Sequence, residues 1–321
     1  MLKRISFIFS ILLVLLLSAT LRGNETAKLY FPSTLGSYWV YEDQNGNELT
    51  REVVEGEEIS GVTYNGFSYD PELEDWIDFD RHFAPYLYHV GDEWVSCLVG
   101  EEAENAIKAR LGKEMDIISE LAQNVFATTA PPELNITISL IYEVEAEAEE
   151  NSFLLPLDVT PNEEWDSFNV SATISFTMDI QGLPDLQGAP EIPTITLDID
   201  IQEAGIILGT ETVDVTAGTF EDCLKIQFQT ETELTASEPN PNQQEPGESV
   251  TTIWLAPNVG IVKFHQESEK VFLNTMSDSD FSEASLAQPD IEALLAPKVI
   301  SYELQSYDIV PDEEQEEGDR E

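Results

Sequence analysis

The chain has 321 residues, of which 63 are Asp or Glu and only 14 are Lys or Arg, a formal charge of −49. With 42% hydrophobic and 9% aromatic residues it can bury a core, which excludes a wholly disordered chain, a collagen-like repeat and a disulfide-dense miniprotein. The shortage of clustered Lys and Arg argues against a nucleic-acid partner, and the charge against docking on an anionic membrane surface.

Lys3 and Arg4 precede an almost unbroken apolar run from Ile5 to Leu17. That run falls short of the ~20 residues needed to span a bilayer, and it fits a secretory h-region. Residues 1–20 therefore read as a signal peptide, with Ser18, Ala19 and Thr20 near the cleavage site. An uncleaved membrane anchor is the less favoured alternative. No Cys follows the run, so a lipid anchor is not expected, and the location implied is secreted or periplasmic. Removal of the segment leaves 12 basic against 63 acidic residues.

The β signal starts at Tyr38 to Tyr41 and turns at Asn45-Gly46, a pair favoured in tight hairpins. Strands are expected at about Leu49–Val54, Gly61–Tyr69, Tyr86–His89 and Trp94–Leu98, the last two joined through Gly91-Asp92. From Glu101 to Phe126 the period changes. Ile107, Leu111, Met115, Ile118, Leu121, Ala122 and Val125 fall on one helical stripe, which Pro131-Pro132 stops.

Alternation resumes at Ile136, with apolar residues at even positions and Glu143, Glu145, Glu147 and Glu149 between them. The same two-residue period recurs at Val170–Ile180, Ile195–Ile201 and Leu224–Leu234, the mark of antiparallel sheet with one solvated face. Ser237 to Gly247 reads as a disordered hairpin tip. Strands follow at Thr251–Leu255, Gly260–Phe264 and Val271–Asn274, then a helical turn at Asp290–Leu295 and a last strand at Val299–Tyr307. The expected organisation is a signal peptide at 1–20, one β-dominated domain at 28–310 with a helical insert at 101–127, and a disordered acidic tail at 311–321. The fold class is mainly β: a large curved antiparallel sheet, a half-barrel, with the amphipathic helix on its concave face.

No standard catalytic or cofactor-binding signature occurs, and no cofactor is expected. His82, His89 and His265 are scattered, leaving a cryptic hydrolase the least favoured reading. Asp70, Asp75, Asp78 and Asp80 belong to the densest acidic cluster in the body of the domain. Hard carboxylates suit Ca²⁺, but the segment lacks the glycine and closing Glu of an EF-hand loop, so solvated surface acids are the favoured reading. The run Asp43 to Glu48 resembles a calcium loop and is better explained as a hairpin turn. Trp39, Tyr41, Tyr64, Phe67 and Tyr69 could wall a ligand cavity, although an ordinary core is favoured. Asn24, Asn135 and Asn169 lie in glycosylation sequons. Cys97 and Cys223 are the only cysteines, and pairing between them is not expected.

Three segments carry a resemblance. They are Tyr30 to Tyr41 (YFPSTLGSYWVY), Val213 to Lys225 (VDVTAGTFEDCLK) and Ile253 to Lys263 (IWLAPNVGIVK). Together they resemble the TapB-like family of bacterial exported proteins of unknown function, related to the lipoprotein-carrier (LolA/LolB-like) superfamily. The resemblance covers about residues 30–70 and 205–265 and rests on turn determinants, so no ligand residue transfers with it. It implies a bent antiparallel sheet around a helix or an apolar ligand. The function expected is that of an exported, non-enzymatic protein, its partner a hydrophobic small molecule or lipid. The alternative is a cell-envelope structural or interaction module without a small ligand.

Overall fold

The computed structural model describes residues 29–73, 80–129, 137–157, 160–182, 193–237, 245–275 and 296–311. The expected signal peptide, the hairpin tip at 238–244, the helical turn at 290–295 and the tail from 312 lie outside the described residues, as do the sequons at Asn24 and Asn135.

The chain opens with β1 (Tyr38–Asp43) and β2 (Glu48–Val54), paired across the expected Asn-Gly turn. The Asp43 carboxylate closes that turn by accepting the N–H groups of Asn45 and Asn47, each at 2.8 Å, so the hairpin reading holds there. The single strand expected from Gly61 to Tyr69 is instead divided. A two-residue hairpin, β3 (Glu58–Ile59) and β4 (Val62–Thr63), turns at Ser60 and Gly61, both at positive φ, before β5 (Asn65–Asp70) begins. Next come β6 (Leu87–Val90), β7 (Trp94–Leu98) and the helix α1 (Gly100–Thr129).

After the helix, β8 (Thr137–Ala148) runs into β9 (Asn151–Pro156), a strand that the sequence periodicity does not reveal. Three long strands follow: β10 (Glu164–Gln181), β11 (Ile195–Val215) and β12 (Gly218–Ala236). They exceed their alternating segments because bulges break the two-residue period, as at Asp166/Phe168, where Ser167 and Phe168 are both buried. The chain finishes with β13 (Ser249–Ala256), β14 (Gly260–Ser268) and β15 (Lys298–Asp308). Val271 to Asn274 is not the expected strand. Its N–H groups are taken by a helix side chain, and a 3₁₀ turn forms at Leu273–Thr275.

Thirteen strands make one antiparallel sheet, in the order β8-β10-β11-β12-β13-β14-β15-β1-β2-β5-β6-β7-β9. Its two edge strands, β8 and β9, are consecutive in the chain and separated only by Glu149 and Glu150. The sheet therefore curls until its edges meet at one corner. There the Trp165 indole N–H and the Ser167 hydroxyl both donate to the Phe153 carbonyl, at 2.9 and 3.1 Å. No ladder joins β8 to β9, so the sheet is not closed into a barrel. Gly100 starts the helix against this corner, where a Cβ would stand 3.1 Å from the Glu150 Cα.

One face of α1 packs on this sheet, chiefly over β8, as the apolar stripe requires. Ile107, Leu111 and Met115 bury themselves against Ala172, Ile174, Leu197 and Ile199 of β10 and β11. The helix also answers the edge problem of β8. Ser119 accepts the outward N–H of Leu140 and Glu104 that of Ala148, while the Tyr142 hydroxyl donates to Asp116 at 2.7 Å. The larger core lies at the other end. Trp39, Tyr41, Phe67, Phe83 and Tyr88 fill the curl of the shorter strands, so the early aromatics form core.

Candidate ligand cavity

The inward positions of the long strands are apolar until they pass under the first half of α1, and there they turn polar. On β11 the inward series Leu197, Ile199 and Ile201 ends at Glu203, which is 5% exposed. On β14, Val262 and Phe264 are followed by Gln266; on β12, Ile226 and Phe228 are followed by Thr230. These side chains meet the segment from Asp80 to Phe83, which crosses inside the curl.

His82 is fully buried between two carboxylates. Its Nε2 lies 2.9 Å from Glu203 Oε1 and its Nδ1 lies 3.3 Å from Asp80 Oδ1. The Asp80 carboxylate also accepts the N–H groups of His82 and Phe83 and the amide of Gln266, whose donor is shared with Thr251. Arg81 pairs with Glu203 and lays its guanidinium over the Phe168 ring, 4.7 Å from the centroid. The His82 ring leans on Phe228 at 4.1 Å.

Two cations and two carboxylates thus offset one another inside the protein. Burial alone would push both acids up and the imidazole down; the opposite charges outweigh it. Asp80 and Glu203 are held below their ordinary values, chiefly by His82 for the first and Arg81 for the second. His82 is held above its ordinary value by Glu203 and Asp80.

Above this polar floor a gap remains between α1 and the concave face of the sheet, with a volume of about 270 Å³. Ala103, Ala106, Ile107 and Ile117 of the helix face Phe168, Val170 and Ile201 of the sheet across it. One side of the cavity is pinned by Glu114. Its carboxylate accepts the N–H groups of Val271, Phe272 and Leu273 at 2.9, 2.6 and 2.9 Å, tying the helix to the segment after β14. Burial raises the pKa of Glu114 against the pull of those three donors. Where the cavity meets solvent its wall carries Arg110, Lys113, Lys270 and Lys298, with Lys113 exposed and the other three half-buried.

The acidic cluster does not stay together. Asp70 ends β5, exposed and paired in register with Thr50. Asp75 and Asp78 lie outside the described residues. Asp80 is not a solvated surface acid: it is 6% exposed and engaged by His82, Phe83 and Gln266. No group of three or more His, Cys, Asp or Glu arranged to hold a metal ion occurs among the described residues. His89 bonds the Thr63 carbonyl and His265 the Ser301 hydroxyl, both away from the cavity. Cys97 and Cys223 are both buried and unbonded, and burial pushes their thiols up to about 12 and about 11.

Arg81, His82 and Glu203 were not singled out by motif or spacing. The signal that could have found them is Glu203 itself, a charge in the inward phase of an otherwise apolar alternation. Such a residue requires a buried partner.

No known protein family matches the chain, and no curated protein does. Among solved structures it is similar to a candidate lipoprotein from Parabacteroides distasonis, with a TM-score of 0.34 and 14% identity over 87% of this chain and 98% of the other. It is also similar to a candidate exported protein with a YmcC-like fold from Bacteroides fragilis, with a TM-score of 0.32 and 12% identity over 87% and 99% of the two chains. No helix among the described residues is long and apolar enough to cross a membrane.

Proposed function

We propose that this is an exported, non-enzymatic protein that holds the apolar part of a small ligand between α1 and the curved sheet. The observation that carries this reading is the cavity itself. It lies at a helix–sheet seam, is walled by aliphatic and aromatic side chains, and has a polar floor whose charges are matched internally. Its volume of about 270 Å³ sits just under the ~300–1,000 Å³ usual for small-molecule sites. Both ring nitrogens of His82 are engaged by carboxylates, which favours a binding role over proton transfer to a substrate. The apolar run from Ile5 to Leu17 supports export.

The test is binding of a fluorescent apolar probe, N-phenyl-1-naphthylamine, to the chain lacking residues 1–20. Enhanced probe fluorescence is expected, and Ala106→Phe, which fills the cavity from the helix side, should abolish it while the circular dichroism spectrum is retained. A parent protein that leaves the probe dark would overturn the reading and favour an interaction module whose concavity is only a core.

A further inference from the structure

The cations are distributed unevenly. Of the nine lysines and arginines among the described residues, five (Arg81, Arg110, Lys113, Lys270 and Lys298) line this one cavity. In a chain with 63 acidic and 14 basic residues, that concentration sets the cavity apart from the rest of the surface. Of the other four, three pair with neighbouring acids, Lys108 with Glu104, Lys225 with Glu211 and Lys263 with Glu303, and Arg51 lies among aromatic rings. Lys113 and Lys270 close no such pair among the described residues.

The acids of the cavity wall offset this arrangement only in part. Glu203 is used by Arg81 and His82, and Glu114 by three backbone N–H groups, with the charge of Lys270 near it. Glu248 and Glu269 line the cavity as exposed as Lys113, two acids against four cations. The floor is charge-matched, so an ionic group placed there would stand unpaired in a buried site. At the solvent end, Arg110, Lys113, Lys270 and Lys298 outnumber the exposed Glu248 and Glu269 around a cavity whose interior is apolar.

We infer that the ligand is a single-chain amphiphile with an anionic head, its tail against Ile107, Phe168 and Ile201 and its head among Arg110, Lys113, Lys270 and Lys298. This rests on the apolar-ligand reading above. The size of the cavity selects one chain rather than two, and charge complementarity selects the head: a carboxylate, sulfate or phosphate oxygen accepts from lysine and arginine. The chain as a whole repels anions, so the selectivity has to arise at short range, from these four side chains.

Calorimetric titration of the chain lacking residues 1–20 with four ten-carbon probes tests this: decanoate, decyl sulfate, decanol and decyltrimethylammonium, each below its aggregation threshold. Decanoate and decyl sulfate should bind about tenfold tighter than decanol, and decyltrimethylammonium most weakly. Lys113→Gln and Lys270→Gln should each weaken decanoate about three- to fivefold, as for partly exposed ion pairs, and leave decanol unchanged. Lys225→Gln, with the same change of net charge away from the cavity, should alter neither. In the unmodified protein, rising NaCl should narrow the gap between decanoate and decanol. Equal binding of decanoate and decanol, or a preference for decyltrimethylammonium, would overturn the head-group assignment while leaving the apolar-ligand reading standing. Failure of every probe, together with a dark naphthylamine assay, would overturn both.

Discussion

The two ends of this sheet fill the same curvature by different means. At one end, β1, β2, β5, β6 and β7 are four to seven residues long, and their own side chains meet inside the curl. Phe67 stacks on Tyr88 and Phe83 on Tyr302, both with centroids 4.4 Å apart. At the other end, β10, β11 and β12 run for 18 to 21 residues, too long for short turns to close over. A helix is brought in to cover them, and its aliphatic stripe meets the sheet along one line. Rings wedge into a tight curve and fill it. A cylinder laid on a wider curve touches along its axis and leaves a gap at its flank, which is where the cavity lies.

The contrast extends to charge. The aromatic end buries Arg51 with no salt-bridge partner among the described residues: the guanidinium lies 4.6 Å from the Trp39 and Phe67 ring centroids and donates to the Phe83 carbonyl and the Tyr41 hydroxyl. Among the described residues its Nε is without a partner, as are the Tyr88 hydroxyl and the Nε of Arg81. The helix end sets a half-buried Arg81 against the buried Glu203 and over the Phe168 ring. Both cations lie on π faces, but only Arg81 also has an acid among the described residues.

The largest effect should come from breaking the helix end alone. Leu111 is fully buried under α1, so Leu111→Asp places an unpaired carboxylate there and should cost about 5 kcal/mol. Ile118, only partly buried, should cost clearly less on the same change. Hydrogen exchange in the Leu111 variant should show α1 and β8 opening while β1, β2 and β5 stay protected. Uniform loss of protection would mean that the two ends form one cooperative unit, and the division drawn here would fail.

Next come Arg51 and Arg81. Removing the acid in Glu203→Ala leaves Arg81 and His82 without their main partner and should destabilise by about 4 kcal/mol. Arg51→Met should change stability by about 1 kcal/mol or less, because the lost cation–π attraction is offset by the lost cost of burying a charge without an acid. Urea unfolding with unchanged m-values decides this. If Arg51→Met proves as costly as Glu203→Ala, the aromatic cage is holding its cation as firmly as the carboxylate does.

The difference between the ends also explains what the sequence disclosed. The curved antiparallel sheet and its long helix were legible because β8 and α1 obey clean periods over many residues. The division at Ser60-Gly61 and the loss of a strand at Val271 were not. The first depends on positive φ at a serine, and the second on Glu114, over 150 residues away, claiming the N–H groups. The cavity was foreseen only as a concavity. Trp39, Tyr41 and Phe67 are core, the favoured reading of those aromatics, whereas the gap lies under Ala106 and Ile107, residues whose periodicity is that of any packed helix. Asp80 read as surface because it belongs to a run of acids; only the fold brings Gln266 and Glu203 into the network around it.

A smaller effect is expected where the sheet edges meet. Trp165 lies across Gly205 of the neighbouring strand, and a Cβ there would stand 2.3 Å from the indole ring. Gly205→Ala must displace the ring and with it the indole bond to Phe153, at about 1–3 kcal/mol. Trp165 fluorescence should change with the substitution. If it does not, the corner is looser than the side-chain bridge implies, and the curl is held by the ladders alone.

The smallest effect is a dependence on pH, and its two limbs are unequal. Burial opposes the charge of His82, but Glu203 and Asp80 raise its pKa above 6.5. The coupling therefore contributes fully below pH 6.5 and is lost as pH rises through the folded-state value. Asp80 and Glu203 are depressed despite burial, so their contribution is present above 3.8 and 4.5 and is lost as pH falls through their folded-state values. The acid limb is confounded, since lowering the pH also relieves the self-repulsion of a chain carrying −49. On the alkaline side a decline in Tm between pH 6.5 and 9 is expected as the His82 coupling is lost, and His82→Gln, which keeps a polar side chain between the two acids, should flatten it. A decline that persists in that variant would place the titrating group elsewhere, and the matched-charge floor would no longer account for the pH response.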